Sequence, residues 1–254
     1  MRRAATLVLA ISCLATASFS QTADELIAKN IQAKGGMEKI KAIKTLRMTG
    51  KFEVNGFTAA VMEENQRPNL VRETFTLQGM TAVQAYDGSA GWQIQPFGGK
   101  KTPELMGEDD TRDLLLDADF DGPLVDYKEK GNSVEYLGHD TVDGDDALRL
   151  KVTLKSGDII YYYLDPDTFL EIRKEVQQFI RGSVRERVFS YGSYKPVDGV
   201  MYPFSIAQGT MSHPDDQTTT VRKMEANIPI DPADFMLPPS LKTEEKKSGM
   251  VGVH

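Results

Sequence analysis

Leu148-Arg149-Leu150-Lys151-Val152-Thr153-Leu154-Lys155 alternates without a fault. Leu148, Leu150, Val152 and Leu154 fall on one side, and Arg149, Lys151, Thr153 and Lys155 on the other. A period of two marks a β-strand with one buried and one wetted face. Lys155-Ser156-Gly157-Asp158 then reads as a turn, and Ile159 to Leu164 as the strand that returns.

The same pattern spreads in both directions. Upstream, Leu46, Met48, Phe52 and Val54 share one face, opposite Thr45, Arg47, Thr49, Lys51 and Glu53. Asn55-Gly56 is a hairpin signal, and Thr58 to Asn65 returns. Further strands are expected at 69–77, 80–86 and 91–96, punctuated by Gly79, Asp87-Gly88 and Gly98-Gly99. A helical, acidic stretch from Pro103 to Asp121 interrupts them. Strands resume at 133–138, 146–155, 158–165, 169–179, 183–191, 200–208 and 217–228. Two helices come first. Thr22 and Glu25 have capping-box spacing, Ile27 and Ile31 share the face that follows, Gly35-Gly36 is the stop, and Met37 to Ile43 forms a second short helix.

The expected fold is mainly β with α: a strongly curved antiparallel sheet, an unclosed half-barrel, with helices covering its apolar concave face. Such a face left open to water would be a very large apolar patch. No repeat, proline-rich linker or composition break marks a second domain. Residues 21–241 are therefore read as one domain, between a signal peptide at 1–20 and a disordered tail at 242–254.

Arg2 and Arg3, the apolar run from Ala4 to Leu14 and the small residues up to Ser20 carry the signal-peptide reading. A rival reading makes Cys13, the single cysteine, the lipid-modified first residue of an anchored protein. Ala10-Ile11-Ser12 lacks the leucine usual three residues before such a cysteine. Cleavage leaves a cysteine-free chain, which needs no thiol protection in an oxidising compartment, and takes the net charge from −7 to −9. The balance excludes an electrostatically driven nucleic-acid binder. With 40% hydrophobic residues in 254, the chain has far too much apolar mass for disorder.

Several segments resemble a known bacterial family. Ala23-Asp24-Glu25-Leu26-Ile27, Gly35-Gly36-Met37-Glu38-Lys39-Ile40, Asp121-Gly122-Pro123-Leu124-Val125-Asp126-Tyr127 and Tyr163-Leu164-Asp165-Pro166-Asp167-Thr168-Phe169-Leu170 are similar to the LolA-like outer-membrane lipoprotein-sorting superfamily. The similarity runs over most of 22–240. It implies a half-barrel whose hollow is plugged by helices and shelters lipoprotein acyl chains in the periplasm. It further implies an inner-membrane donor and an outer-membrane acceptor, and a monomeric carrier. Relatives of this fold that sense mislocalised lipoproteins imply an alternative, an envelope sensor or interaction module. The family's functional arginine maps to no single residue, since Arg47 and Arg72 both sit on strands.

Catalytic signals are sparse. Asp117-Ala118-Asp119-Phe120-Asp121-Gly122 begins like a calcium loop, but the closing carboxylate position holds Lys128. His139 with Asp140, Asp143, Asp145 and Asp146 reads as a polar hairpin, and no metal-binding histidine spacing occurs. No GxSxG elbow or phosphate loop is present. The expectation is a binding protein and not an enzyme, with no catalytic residue, metal or cofactor. Methionine, adaptable and polarisable, is plentiful. Alternation names the cavity-wall candidates: Leu46, Met48, Phe52, Phe75, Leu77, Trp92, Ile94, Leu148, Leu150, Val152 and Leu154. Trp92 is equally readable as core.

Overall fold

The computed structural model describes residues 22–241. The expected signal peptide with Cys13 and the expected tail lie outside the described residues. Helix α1 (Ala23–Ala33) starts on the anticipated capping box: Thr22 Oγ1 accepts from the Glu25 amide and the Glu25 carboxylate accepts from the Thr22 amide. Helix α2 (Met37–Ala42) follows the glycine pair.

Six strands come next: β1 (Thr45–Val54), β2 (Phe57–Gln66), β3 (Leu70–Leu77), β4 (Met80–Tyr86), β5 (Gly91–Gln95) and β6 (Lys100–Leu105). Helix α3 (Glu108–Ala118) then leads to β7 (Ser133–Val142), β8 (Asp145–Thr153), β9 (Ile159–Leu164), β10 (Glu171–Ile180) and β11 (Ser183–Gly192). A small hairpin, β12 (Lys195–Val197) and β13 (Val200–Tyr202), precedes β14 (Ser205–Thr210) and β15 (His213–Ala226).

Thirteen strands form one antiparallel sheet in the order β6-β5-β4-β3-β2-β1-β15-β14-β11-β10-β9-β8-β7. The ends of this order, β6 and β7, are not paired with each other, so the sheet is an unclosed half-barrel as the alternation predicts. Most neighbours are sequence-adjacent hairpins. The seam β1–β15 instead joins the first strand to the last, with Leu46 opposite Ala226 and Val54 opposite Gln217. Its register slips between Thr49 and Gly50. A Cβ on Gly50 would stand 2.7 Å from the Thr220 carbonyl oxygen, so this close approach requires glycine.

β7 runs on to Val142, past the expected end at 138, and the short strand β12 was not anticipated; three further departures involve proline. Lys100–Leu105 is a strand and not part of the helical stretch; it pairs only with β5, and an edge strand tolerates Pro103. The single strand expected at 200–208 is split between β13 and β14, around Pro203. The last strand begins at His213, earlier than the expected 217, because it pairs there with β14, Thr210 opposite His213; residues 213–216 lie beyond the end of β1, so Pro214 forfeits no bond to that neighbour.

The inner face of the sheet is covered in two ways. Helix α1 lies on β8–β10, where Leu26, Ile27, Leu124, Leu148, Leu150, Val152, Ile160, Tyr162, Leu164 and Val176 form the largest core cluster. Helix α3 lies on β3–β5, where Leu114 and Ala118 meet Val71 and Tyr86. It sits close because Gly91 has no side chain: a Cβ there would lie 2.6 Å from Thr111 Oγ1. The outer face of β3–β5 is covered by the C-terminal segment, through Ile230, Phe235, Leu237 and Leu241.

Candidate functional site

Between α3 and the inner face of the sheet lies a cavity of about 600 Å³. That is within the range of small-ligand sites. Strands β1–β4 supply Met48, Phe52, Val61, Phe75 and Ala82, β11 and β14 supply Phe189 and Ile206, and α3 supplies Leu114. Phe52, Phe75 and Phe97 form an edge-on aromatic series, with ring centroids 5.3 Å and 5.8 Å apart. This end of the cavity is apolar and adaptable.

The other end is charged. Register pairs Glu63 of β2 with Glu73 of β3 on the same inner face. Asp113 and Asp117 come down from α3, and Lys174 and Arg187 reach in from β10 and β11. Burial, and after it the negative charge of Asp117, pushes Glu63 up to about 7. Burial and the charges of Asp117 and Glu63 hold Glu73 well above the usual carboxyl range. Asp117 is raised by burial, against the pull of Lys174 and Arg187; a protonated Glu73 donates a hydrogen bond to it. For Lys174 burial opposes the charge, but Tyr191 and Asp117 outweigh it and keep the ammonium group above its ordinary value. Its Nζ stands 4.5 Å from the Phe189 ring centroid. Asp113 is bound by Arg185 and, at 2.7 Å, by Arg187.

Ion pairs also hold the helix over the cavity. Arg112 bonds Asp158 on the β8–β9 connection. Farther along, Arg67 donates twice to Asp121, at 2.8 and 2.7 Å, and also to the Ile40 and Ile43 carbonyls. Burial opposes ionisation of Asp121, but the Arg67 hydrogen bonds and the charges of Arg67, Lys41 and Lys130 outweigh it and hold the carboxyl low. Asp119 binds Lys130. The three aspartates of the calcium-like segment thus serve different partners: Asp117 faces the cavity, and the other two are engaged by cations. His139 is exposed and pairs with Asp146 at 2.9 Å.

Of the wall candidates, the structure brings Met48, Phe52 and Phe75 together around the cavity. Leu77 shares their face nearer the β3–β4 turn. Leu46 is buried against Ile40 and Ile43 beside α2. Leu148, Leu150 and Val152 are only 0–2% exposed beneath α1 and do not border the cavity under α3. Leu154 borders a second space of about 400 Å³, with Leu115 and Leu116 of α3.

Trp92 and Ile94 are elsewhere. Register places Trp92 opposite Ala85 and Ile94 opposite Val83, on the outer face. There Trp92 packs with Leu237 and Leu241, and its Nε1 donates to the Phe235 carbonyl at 2.9 Å. Arg47 and Arg72 also share the outer phase, flanking buried Glu64 at 2.7 and 3.3 Å.

The charged floor escaped the sequence reading. Its signal was present in the strand phase: Val71, Glu73, Phe75 and Leu77 share a face, and Glu73 is the one charged member of that row. A carboxylate in an inward phase, facing a second one on the neighbouring strand, marks a polar interior.

No family model matches the sequence, and no curated protein matches it. Solved structures do. A DUF1329 family protein from Desulfovibrio piger superposes with a TM-score of 0.54 at 10% identity, over 84% of this chain and 96% of that one. A putative outer membrane lipoprotein-sorting protein domain from Vibrio parahaemolyticus gives 0.52 at 11% identity, over 83% and 94%. A LolA superfamily protein from Nitrosomonas europaea gives 0.52 at 12% identity, over 86% and 99%. At these identities the likeness is one of fold: the chain has the LolA-like half-barrel.

Proposed function

We propose that this protein is a periplasmic carrier or binding protein for lipoprotein acyl chains or another lipid, and not an enzyme. The observation that carries the reading is the cavity beneath α3, with Met48, Phe52, Phe75, Phe97 and Phe189 on its walls. Burying a methylene group is worth about 0.8 kcal/mol, so an alkyl chain gains several kcal/mol even after losing part of it to ordering. Helix α3 shields the site by charged contacts more than by apolar ones, which suits a cover that must yield. On this reading the chain works as a monomer, receiving lipid from an inner-membrane donor and passing it to an outer-membrane acceptor. The LolA-like fold supports that assignment. A sensor that reads the same ligands uses the same cavity.

The test is displacement of an uncharged fluorophore, N-phenyl-1-naphthylamine, by single-chain lipids. Micromolar binding and displacement are expected. Phe75→Ala should weaken binding about tenfold while the circular dichroism spectrum stays unchanged. A folded protein that binds no apolar probe overturns the reading.

A further inference from the structure

The cavity has two ends, and an alkyl chain satisfies only one of them. Glu63, Glu73 and Asp117 face the same space as Phe52 and Phe75. A hydrocarbon tail pressed against them would take water from carboxyl groups that outnumber their cations, which is costly in a desolvated site. A ligand that fills the whole cavity therefore needs a polar head.

The sign of that head follows from the groups present. Around the charged end stand four carboxyls: Glu63 from β2, Glu73 from β3, and Asp113 and Asp117 from α3. Three cations face them: Lys174 from β10, and Arg185 and Arg187 from β11. Tyr191 of β11, the amides Gln84, Gln95 and Gln208, and the hydroxyls of Thr74 and Thr219 complete the polar lining. Both arginines are engaged by Asp113. Lys174, with Arg187 shared between Asp113 and Asp117, is what remains against Glu63, Glu73 and Asp117, so three cations meet four carboxyls. One positive charge is missing from the set.

We propose that the cavity takes a single-chain amphiphile with a primary ammonium head, seated between Glu63, Glu73 and Asp117, with its tail along Phe52, Phe75 and Phe97. This rests on the lipid-binding reading above and deepens it. Without such a head, a proton held among the raised carboxyls Glu63 and Glu73 serves in its place. The ammonium head replaces it, and the proton leaves to solvent. Three N–H donors then reach three carboxyl groups. An anionic head would face the same groups as a like charge, so the site discriminates against the carboxylate of a free fatty acid.

Dodecylamine, dodecanol and dodecanoate, used below their micelle concentrations at pH 7.5, share a tail and differ in head. Dodecylamine should displace N-phenyl-1-naphthylamine at a concentration at least tenfold below dodecanoate, with dodecanol between. In E73Q/D117N this gap should close to less than threefold. Should that variant fail to fold, E63Q and the native protein at pH 5.5 are to be compared with pH 7.5, and both should narrow the gap. Equal or better displacement by dodecanoate overturns the ammonium proposal, as does a gap that survives these changes. If none of the three displaces the probe, the lipid-binding reading itself fails.

Discussion

Two stretches of the inner face carry apolar rows, one unbroken and one interrupted by Glu73, and have opposite fates. On β8 the row Leu148, Leu150 and Val152 is closed over by α1 and by Leu124. On β1 and β3 the row Met48, Phe52 and Phe75 looks into a hollow. The difference lies in what covers them. Helix α1 brings Leu26 and Ile27 down onto the sheet. Helix α3 brings Leu114 but also Asp113 and Asp117, whose charges need partners and keep the helix from sinking into the floor. Apolar alternation marks the face of a sheet; the covering element decides whether that face becomes core or cavity.

The largest expected effect breaks the sealed half. Leu150→Ala should cost about 2–5 kcal/mol of stability, because α1 and the strands cannot collapse onto the void. Chemical denaturation checks this, and affinity of the folded protein for an apolar probe should change little. If binding falls as steeply as stability, the two halves are not separate.

A smaller effect sharpens the open half, through pH. The folded protein keeps on Glu63 a proton that the unfolded chain releases near 4.5, while the folded group releases it near 7. The stabilisation is full below about 4.5 and is lost as pH rises to 7. The open half's contribution to Tm should therefore fall by a few degrees between pH 5 and pH 8. In E63Q that fall should flatten.

The smallest effect concerns the outer face. Trp92→Phe removes the hydrogen bond to the Phe235 carbonyl, for a loss of about 1 kcal/mol. Proteolysis of the C-terminal segment should speed up, and ligand affinity should stay within twofold. A large loss of affinity would place Trp92 in communication with the cavity after all.

The fold was legible because its evidence is local. The two-residue period of Leu148 to Lys155 and the Thr22–Glu25 cap need no distant partner to be read. Trp92 was readable both as core and as cavity wall, and the structure has it as core, on the outer face. Its strand is short, and nothing in the order of residues 91–95 says which phase points inward; that is decided by Leu237 and Leu241, some 145 positions away. Glu63 and Glu73 become a site only through β2–β3 register and through α3, which crosses above them. Apart from Glu73, the sealed and open rows look alike in sequence because their covers are long-range neighbours.

The covering segment has one further consequence. Residues 106–132, with α3 among them, connect β6 to β7, and these are the two opposite edges of the sheet. The cover is therefore a handle fixed at both rims, not a flap hinged at one side. It cannot swing clear; it can only arch. Rise per residue is about 1.5 Å in a helix and about 3.3 Å in an extended chain, so melting the 11 residues of α3 would release about 20 Å of slack. Splaying the rims draws the handle taut, and relaxing them lets it bow outward, so the curvature of the sheet and the headroom above the cavity are mechanically one coordinate.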